Sequence, residues 1–502
     1  MLPQCLKNFN VRKCLTFITG MVECLFFAGI VLGWASLGFL FKAQGFFGSF
    51  CVNTTNTDGL QVQDCRGQDE QFSLVFTIAS FLMNFLTLLN GLIFDRFGTL
   101  IARLFGLALH TGGLLMLAFA TPTLSMLVYP GLSCIAVGGF MLLLTNMQVA
   151  NLFGAHRSTI ITVYNGAFDS SSGVFLLVKF AYESGISLKA SFLFLAAGSI
   201  HHLLRTIFLF PRTTIPYPLP DNYKYGISCR RSRKTNGTVE TDSKMTMDDN
   251  PPDQEELKKT EKTFRECILS KFFFLVLLWL SVIQLRHFVF IGTLNPALER
   301  LADGDASIVS KYINAFAFTQ MCGLLVAPIH GTILDRHKRK PPVPGMSEEE
   351  ADLNSAIISF FLTSVLALLF SICSSIPVLP LQYFTFVMQM IDFSFLYGGM
   401  TVFVAVVFPP CHFGKLYGLI TTLSAVFSLL QYACFAVVEE LLDGDPLYVN
   451  IALTVLILFS FSHPLNVFLH CRKLASQRAK ANTSTATKTV TVTEVESMVS
   501  LT

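Results

Sequence analysis

The sequence predicts an all-α membrane protein built from twelve transmembrane helices in two six-helix halves. Three observations carry this reading. The chain has 502 residues, 52% of them hydrophobic and only 14% charged, against about 25% charged in a soluble domain. Apolar runs of spanning length, about 20 residues each, recur along it as six, then a polar stretch, then six more. A short charged motif recurs at the same place in each half. The composition excludes an ordinary soluble enzyme, and it excludes a disordered chain, which needs low hydrophobicity. The net charge of +3 gives no footprint for a nucleic-acid partner.

The first apolar run, about Leu15 to Phe41, is too long for a signal-peptide core and reads as an uncleaved span. Further runs start near Phe72, Leu100, Leu124, Ile160 and Ser191, and then near Phe272, Ile313, Ala356, Leu381, Leu416 and Val449. The expected organisation is a cytoplasmic N-terminus (1–14), a first half (15–210), a linker (211–267), a second half (268–471) and a tail (472–502). The linker holds Arg230, Arg231, Arg233, Lys234, Pro251 and Pro252 and reads as solvated and coreless. The tail is rich in Thr and Ser and reads as disordered.

Basic residues orient the chain. One set of short loops carries Arg96, Arg103, Arg157, Arg336, Lys338, Arg339, Lys340 and Lys415; the other carries Lys42, Arg66, Lys189, Arg300 and Lys311. The richer set is expected inside, with both termini and the linker cytoplasmic. The first outer loop (43–71) then holds a glycosylation sequon at Asn53, and Cys51 and Cys65 on the oxidising side as a disulfide pair.

The repeated motif is Gly91-Leu-Ile-Phe-Asp95-Arg96 in the first half and Gly331-Thr-Ile-Leu-Asp335-Arg336 in the second. Two parallel six-span halves with a duplicated loop match the major facilitator architecture. The fuller copy, extended through Gly98 and Arg103, resembles that superfamily's signature loop. Gly91, Asp95, Arg96, Gly98, Arg103, Asp335 and Arg336 are therefore expected to govern inner-gate closure. Asp95 would pair with a basic residue or with a helix N-terminus. The chain has no phosphate-binding Gly-x-x-x-x-Gly-Lys loop and no zinc-ligand spacing. It is read as a transporter without cofactor or metal, not an enzyme.

Ionisable and amide groups at membrane depth are candidates for substrate contact. They are Glu23, Asn165, Asp169, Gln284, Arg286, Asn314, Gln389 and Asp392. Asn165 and Asp169 share a helix face with Ser172, as do Gln389 and Asp392. Glu23 and Arg286, in the opening span of each half, could bridge the cavity or face substrate. Any one amide could instead join helices by hydrogen bonds. This chemistry fits either a planar heterocycle, read by carboxylates, amides and aromatic faces, or an amino acid, read by an anion site and a cation site.

Several stretches resemble the solute carrier 43 family: Glu23–Trp34, Asn151–Ile161, Tyr164–Ser172, Ile291–Asn295, Asn314–Gln320, Ser394–Gly398 and His412–Gly418. That family holds sodium-independent neutral amino-acid facilitators and an equilibrative nucleobase branch. Asn165–Ser172 and Asn314–Gln320 look most like the nucleobase branch. The resemblance implies a monomeric plasma-membrane facilitator. It would equilibrate purine bases (adenine, guanine, hypoxanthine) without sodium, by alternating access. A large neutral amino-acid facilitator and a non-transporting scaffold or receptor are the alternatives. Arg286 stands where the nucleobase branch carries an aromatic residue, and Asp392 is acidic beside a position that is basic in the family. The two would keep the cavity neutral if they had changed together.

Overall fold

A computed structural model of the chain describes residues 11–55, 61–216, 219–220, 223, 225, 263–334, 336, 346, 348–409, 412–442 and 444–499. Its described helices form twelve segments, most of them long and apolar enough to cross a membrane. In the first half these are α1 (11–43), α2 (66–97), α3 (99–119), α4 (Pro122–Gly154), α5 (157–183) and α6 (Leu188–Phe208). In the second they are α7 (Lys271–Leu301), α8 (Ala306–Leu334), α9 (Glu348–Ser375), α10 (Leu379–Val407), α11 (Phe413–Leu441) and α12 (from Leu447). α2 and α3 form one helical run that turns at Gly98, whose φ of 74° suits glycine. A Cβ there would also lie 2.8 Å from the Arg212 carbonyl oxygen.

The halves meet through α1 against α7, α2 against α11, and α5 against α8 and α10. α5 is the least apolar crossing, and the helices around it are broken. In α1 a π-type turn over Cys24–Ala28 ends at Gly29, and a 3-10 turn follows. Gly29 and Gly33 sit one turn apart and face α5. A Cβ on Gly29 would stand 2.2 Å from the Phe168 carbonyl oxygen, and one on Gly33 2.1 Å from that of Ser172. This close approach is the use of Gly-x-x-x-Gly inside a membrane. The backbone N–H of Gly29 donates to Ser171 Oγ at 2.8 Å. α8 breaks at Cys322. There Leu324 N–H, unpaired at the start of the second segment, donates to Ser170 Oγ at 2.7 Å.

The loop after α1 forms a two-stranded antiparallel hairpin, β1 (Val52–Thr55) with β2 (Gln61–Asp64). A disulfide joins Cys51 to Cys65 at its open end, and Asn53 lies on β1 opposite Gln63. The hairpin is the one β element among the described residues, in a chain otherwise helical as expected.

Two expectations need correction. The start of the linker is not free of the core: Ile215 and Tyr225 are buried. Gln148 Oε1 accepts from Ile215 N–H, and Asn151 Nδ2 donates to Ile215 O, both at 2.9 Å. Two side-chain amides, Gln148 buried and Asn151 half-buried, thus read one residue as a neighbouring strand would. Beyond residue 225 the linker lies outside the described residues until Thr263, which opens a short helix with a capping box to Glu266. The tail continues the last helix, which runs Ser462–Val499. A helix already nucleated extends at little cost per residue, so Thr and Ser content alone does not end it.

Gly33→Val should abolish a correctly folded product, because a Cβ and two methyls cannot fit against Ser172 O. Size-exclusion profiles of the solubilised variant check this; a wild-type profile would remove the α1–α5 backbone contact.

Candidate functional site

A cavity of about 550 Å³ lies between the halves, open toward the Asp95 loop. Gly91 and Asp95 of α2, Gln148 of α4, Ile161 of α5, Thr401 of α10, and Lys415 and Tyr417 of α11 line it. On the disulfide-loop side the halves are closed. Lys42 Nζ, on α1, pairs with Asp69 at 2.8 Å and with Glu299, on α7, at 2.9 Å. Asn295 Nδ2 donates to Ala35 O at 3.2 Å. Lys179 Nζ, on α5, donates to Ser310 Oγ at 2.6 Å and Asn314 Oδ1 at 2.8 Å, both on α8. A bundle closed on one face and hollow on the other is one of the two end states that alternating access requires.

Buried polar groups lie one and two helical turns beyond the cavity wall. Asn165 follows Ile161 by one helical turn, Asp169 by two, and Tyr397 precedes Thr401 by one. Asn165 Nδ2 donates to Ile161 O at 2.9 Å. Asp169 is buried, and its Oδ2 has no hydrogen-bond partner among the described residues. The same holds for the Tyr397 hydroxyl, which stands in the electrostatic field of Asp169. Leaving such groups unmet costs roughly 1–3 kcal/mol each. They are the arrangement expected where a ligand supplies the missing partners.

The remaining candidates lie elsewhere. Glu23 is wholly buried within the first half. One carboxylate oxygen takes Arg103 and His202 Nδ1 (2.7 Å), the other Arg205 and Asn146 Nδ2 (2.8 Å). The Phe210 ring lies 4.3 Å from the Arg103 guanidinium and 4.5 Å from that of Arg205. Glu23 is therefore a structural ion cluster joining α1, α3, α4 and α6, and it does not meet Arg286. Arg103 belongs to this cluster. Arg286 lies within the second half, with Nε donating to Ser371 Oγ at 3.0 Å and the fork also reaching Ser374. Asp392 answers His287 Nε2 at 2.9 Å and not Arg286. Gln389 joins the same network through His287 Nδ1 (3.3 Å) and Gln320. Gln284 ties α7 to α11 through Ser428 Oγ at 2.9 Å and Ser424 Oγ at 3.2 Å. Asn314 accepts from Lys179 on the closed side. None of the eight residues read as substrate contacts lines the cavity; Asn165 and Asp169 come nearest along the chain, one and two turns from Ile161 on α5.

The gate motif is better placed. The Asp95 carboxylate lies against the first turn of α11 in the other half: a Cβ on Gly414 would stand 3.1 Å from Asp95 Oδ2. The carboxylate is attracted across the halves both by this helix N-terminus and by the nearby Lys415. Gly91 faces Gly414, whose carbonyl oxygen is 3.7 Å from the position of an added Cβ. Arg96 is exposed over the Phe97 ring, at 5.6 Å. Arg336 lies just past the end of α8, and Asp335 lies outside the described residues.

Sequence reasoning missed Lys179 and Tyr397. Lys179 sits in the apolar run Val174–Phe180 near a helix end, where a lysine reads as snorkelling to the surface. Tyr397 reads as one more aromatic residue among Phe393, Phe395 and Leu396.

Two outcomes follow from the geometry. Glu23→Gln leaves two buried arginines without their charge partner and should cost roughly 3–5 kcal/mol, read as a lowered thermal unfolding midpoint; an unchanged midpoint would remove the cluster from the fold's supports. Asp95→Ala should slow substrate exchange at normal surface delivery, and an unchanged rate would detach Asp95 from the gate.

A family model described as the Major Facilitator Superfamily matches residues 62–431, across both halves. The chain is 46% identical, over 93% of its length and 98% of the relative's, to a Bos taurus protein named Equilibrative nucleobase transporter 1. It is 30% identical, over 92% and 94%, to the Homo sapiens Large neutral amino acids transporter small subunit 3. The Mus musculus protein of that name is 29% identical over 94% of this chain and 96% of its own. These relatives are transporters rather than enzymes. With twelve helical segments, paired halves and a cavity between them, the chain belongs to the Major Facilitator Superfamily and, within it, to the solute carrier 43 family.

Proposed function

We propose that the chain is a facilitative, sodium-independent transporter that equilibrates purine nucleobases across the plasma membrane by alternating access. The observation that carries this reading is the pair of buried, unpartnered polar groups, Asp169 Oδ2 and Tyr397 OH, two helical turns from Ile161 and one from Thr401 of the cavity wall. A purine presents N–H donors and ring-nitrogen acceptors around a planar edge. A carboxylate can accept the former, a phenol hydroxyl can donate to the latter, and Asn165 stands one turn away. The relationship to a protein named for nucleobase transport, at 46% identity along nearly the whole chain, supports the same substrate class.

An amino-acid substrate would need a cation for its carboxylate. Arg286 lies in the second half behind Ser371, and Lys179 is bonded to Ser310 and Asn314. Arg157 and Lys415, which do line the cavity, stand on its Asp95 side. The disulfide supports an external hairpin, since such bonds persist on the oxidising side of the membrane. The hairpin and the basic Asp95-side loops together favour cytoplasmic termini and a glycan at Asn53. In this orientation the cavity opens to the cytoplasm.

The test is initial-rate uptake of labelled adenine and of labelled leucine by cells expressing the chain, with sodium present or replaced. Saturable, sodium-independent adenine uptake without leucine uptake is expected; leucine alone would overturn the nucleobase reading for the amino-acid one. Asp169→Asn exchanges an acceptor for a mixed donor and should lower adenine uptake at subsaturating concentration by about 10- to 100-fold. A wild-type rate in that variant, at equal surface delivery, would move the substrate away from Asp169.

A further inference from the structure

A second pocket, of about 220 Å³, lies wholly within the second half, among the ends of α7, α9, α10, α11 and α12. No residue of the first half lines it, so it is separate from the cavity between the halves. Its rim holds Ile376, Pro377, Asp445 and Pro446, from the two loops α9–α10 and α11–α12, and it opens on the disulfide-loop face.

The pocket has Arg286 in its wall, and that side chain is only 2% exposed. Its guanidinium is fixed on three sides. Nε donates to Ser371 Oγ at 3.0 Å, the fork reaches Ser374, and the Phe370 ring lies 5.3 Å from the central carbon. Ser371 Oγ is in turn 2.7 Å from Thr454 Oγ1. These partners orient the charge without neutralising it, and no carboxylate among the described residues pairs with it. A buried cation without a counter-charge is costly. Two acidic residues also line the pocket, but each is turned to other work. Asp445 Oδ1 accepts the Leu447 N–H at 3.0 Å. Glu439 lies near Arg300, both within 4.0 Å of a Cβ placed on Gly444. Phe290, Leu294, Phe435 and Val449 make much of the remaining wall apolar.

We propose that this pocket binds a small organic carboxylate from the aqueous phase on the disulfide-loop face. The carboxylate would sit on the free edge of the Arg286 fork, which suits planar two-oxygen anions, and the apolar body would lie between Phe290 and Phe435. The site does not depend on what crosses the central cavity.

The probe is benzoate, with benzamide as its neutral counterpart, added to the purified full-length chain while the thermal unfolding midpoint is followed. Benzoate should raise the midpoint saturably, as a ligand of the folded state does, and benzamide should not. Arg286→Gln should weaken benzoate binding at least about tenfold, the worth of one charged hydrogen bond. Ala297→Phe, which fills the pocket and keeps the guanidinium, should abolish the shift while leaving the size-exclusion profile unchanged. Equal shifts by benzamide, or benzoate shifts retained in both variants, would overturn the proposal. So would a shift by oleate in lipid nanodiscs with none by benzoate, because the ligand would then come from the bilayer.

Discussion

Two adjacent hydroxyls on α5 meet a need that neither neighbouring helix can meet for itself. A membrane core offers no water to a backbone N–H released by a helix break. α1 is broken at Gly29 and α8 at Cys322, and Ser171 and Ser170 accept the two exposed donors. Successive residues of a helix point about 100° apart, so one hydroxyl faces its own half and the other faces the opposite half. α5 thereby fixes both breaks relative to Asp169, which directly precedes the two serines. The unpartnered carboxylate oxygen owes its position to this arrangement.

The halves repeat a fold but handle charge differently. In the first, the opening helix carries Glu23 against two arginines and a histidine, and all its lone pairs are answered. In the second, the opening helix carries Arg286 with hydroxyls alone, while Asp392 is taken by His287. One half contains a closed ion cluster, the other an open cation. The same contrast holds across the molecular faces. Lys42 and Lys179 reach over to the second half on the disulfide-loop side, whereas on the other side one carboxylate, Asp95, rests on the end of α11.

Much of the fold was legible because the bilayer imposes it. Apolar runs of spanning length, a duplicated Gly-x-x-x-Asp-Arg loop and two cysteines in one polar loop each state a local constraint that a single segment can express. The site was less legible because its logic is distributed. Glu23 finds Arg103 and Arg205 at separations of 80 and 182 residues, and no spacing rule reaches that far. Asn165 and Asp169 were readable because one helix holds both. Arg286 and Asp392 were rightly seen as buried and costly, but burial alone does not say whether a charge faces the cavity, a partner or a pocket of its own. Tyr397 was hidden by chemistry: a phenol among phenylalanines shows its polar end only when nothing answers it.

The anchoring of Ile215 and Tyr225 bears on how the halves move. The described part of the linker is still held at Tyr225, whose hydroxyl meets Thr16 of α1 at 3.3 Å. Residues 213–215 therefore travel with the first half as a fixed lip on the cavity, held by Thr99, Gln148 and Asn151. Thr401 of α10 and Lys415 and Tyr417 of α11 line the same cavity from the second half. The doorway is asymmetric: its jamb belongs to one half and its door to the other.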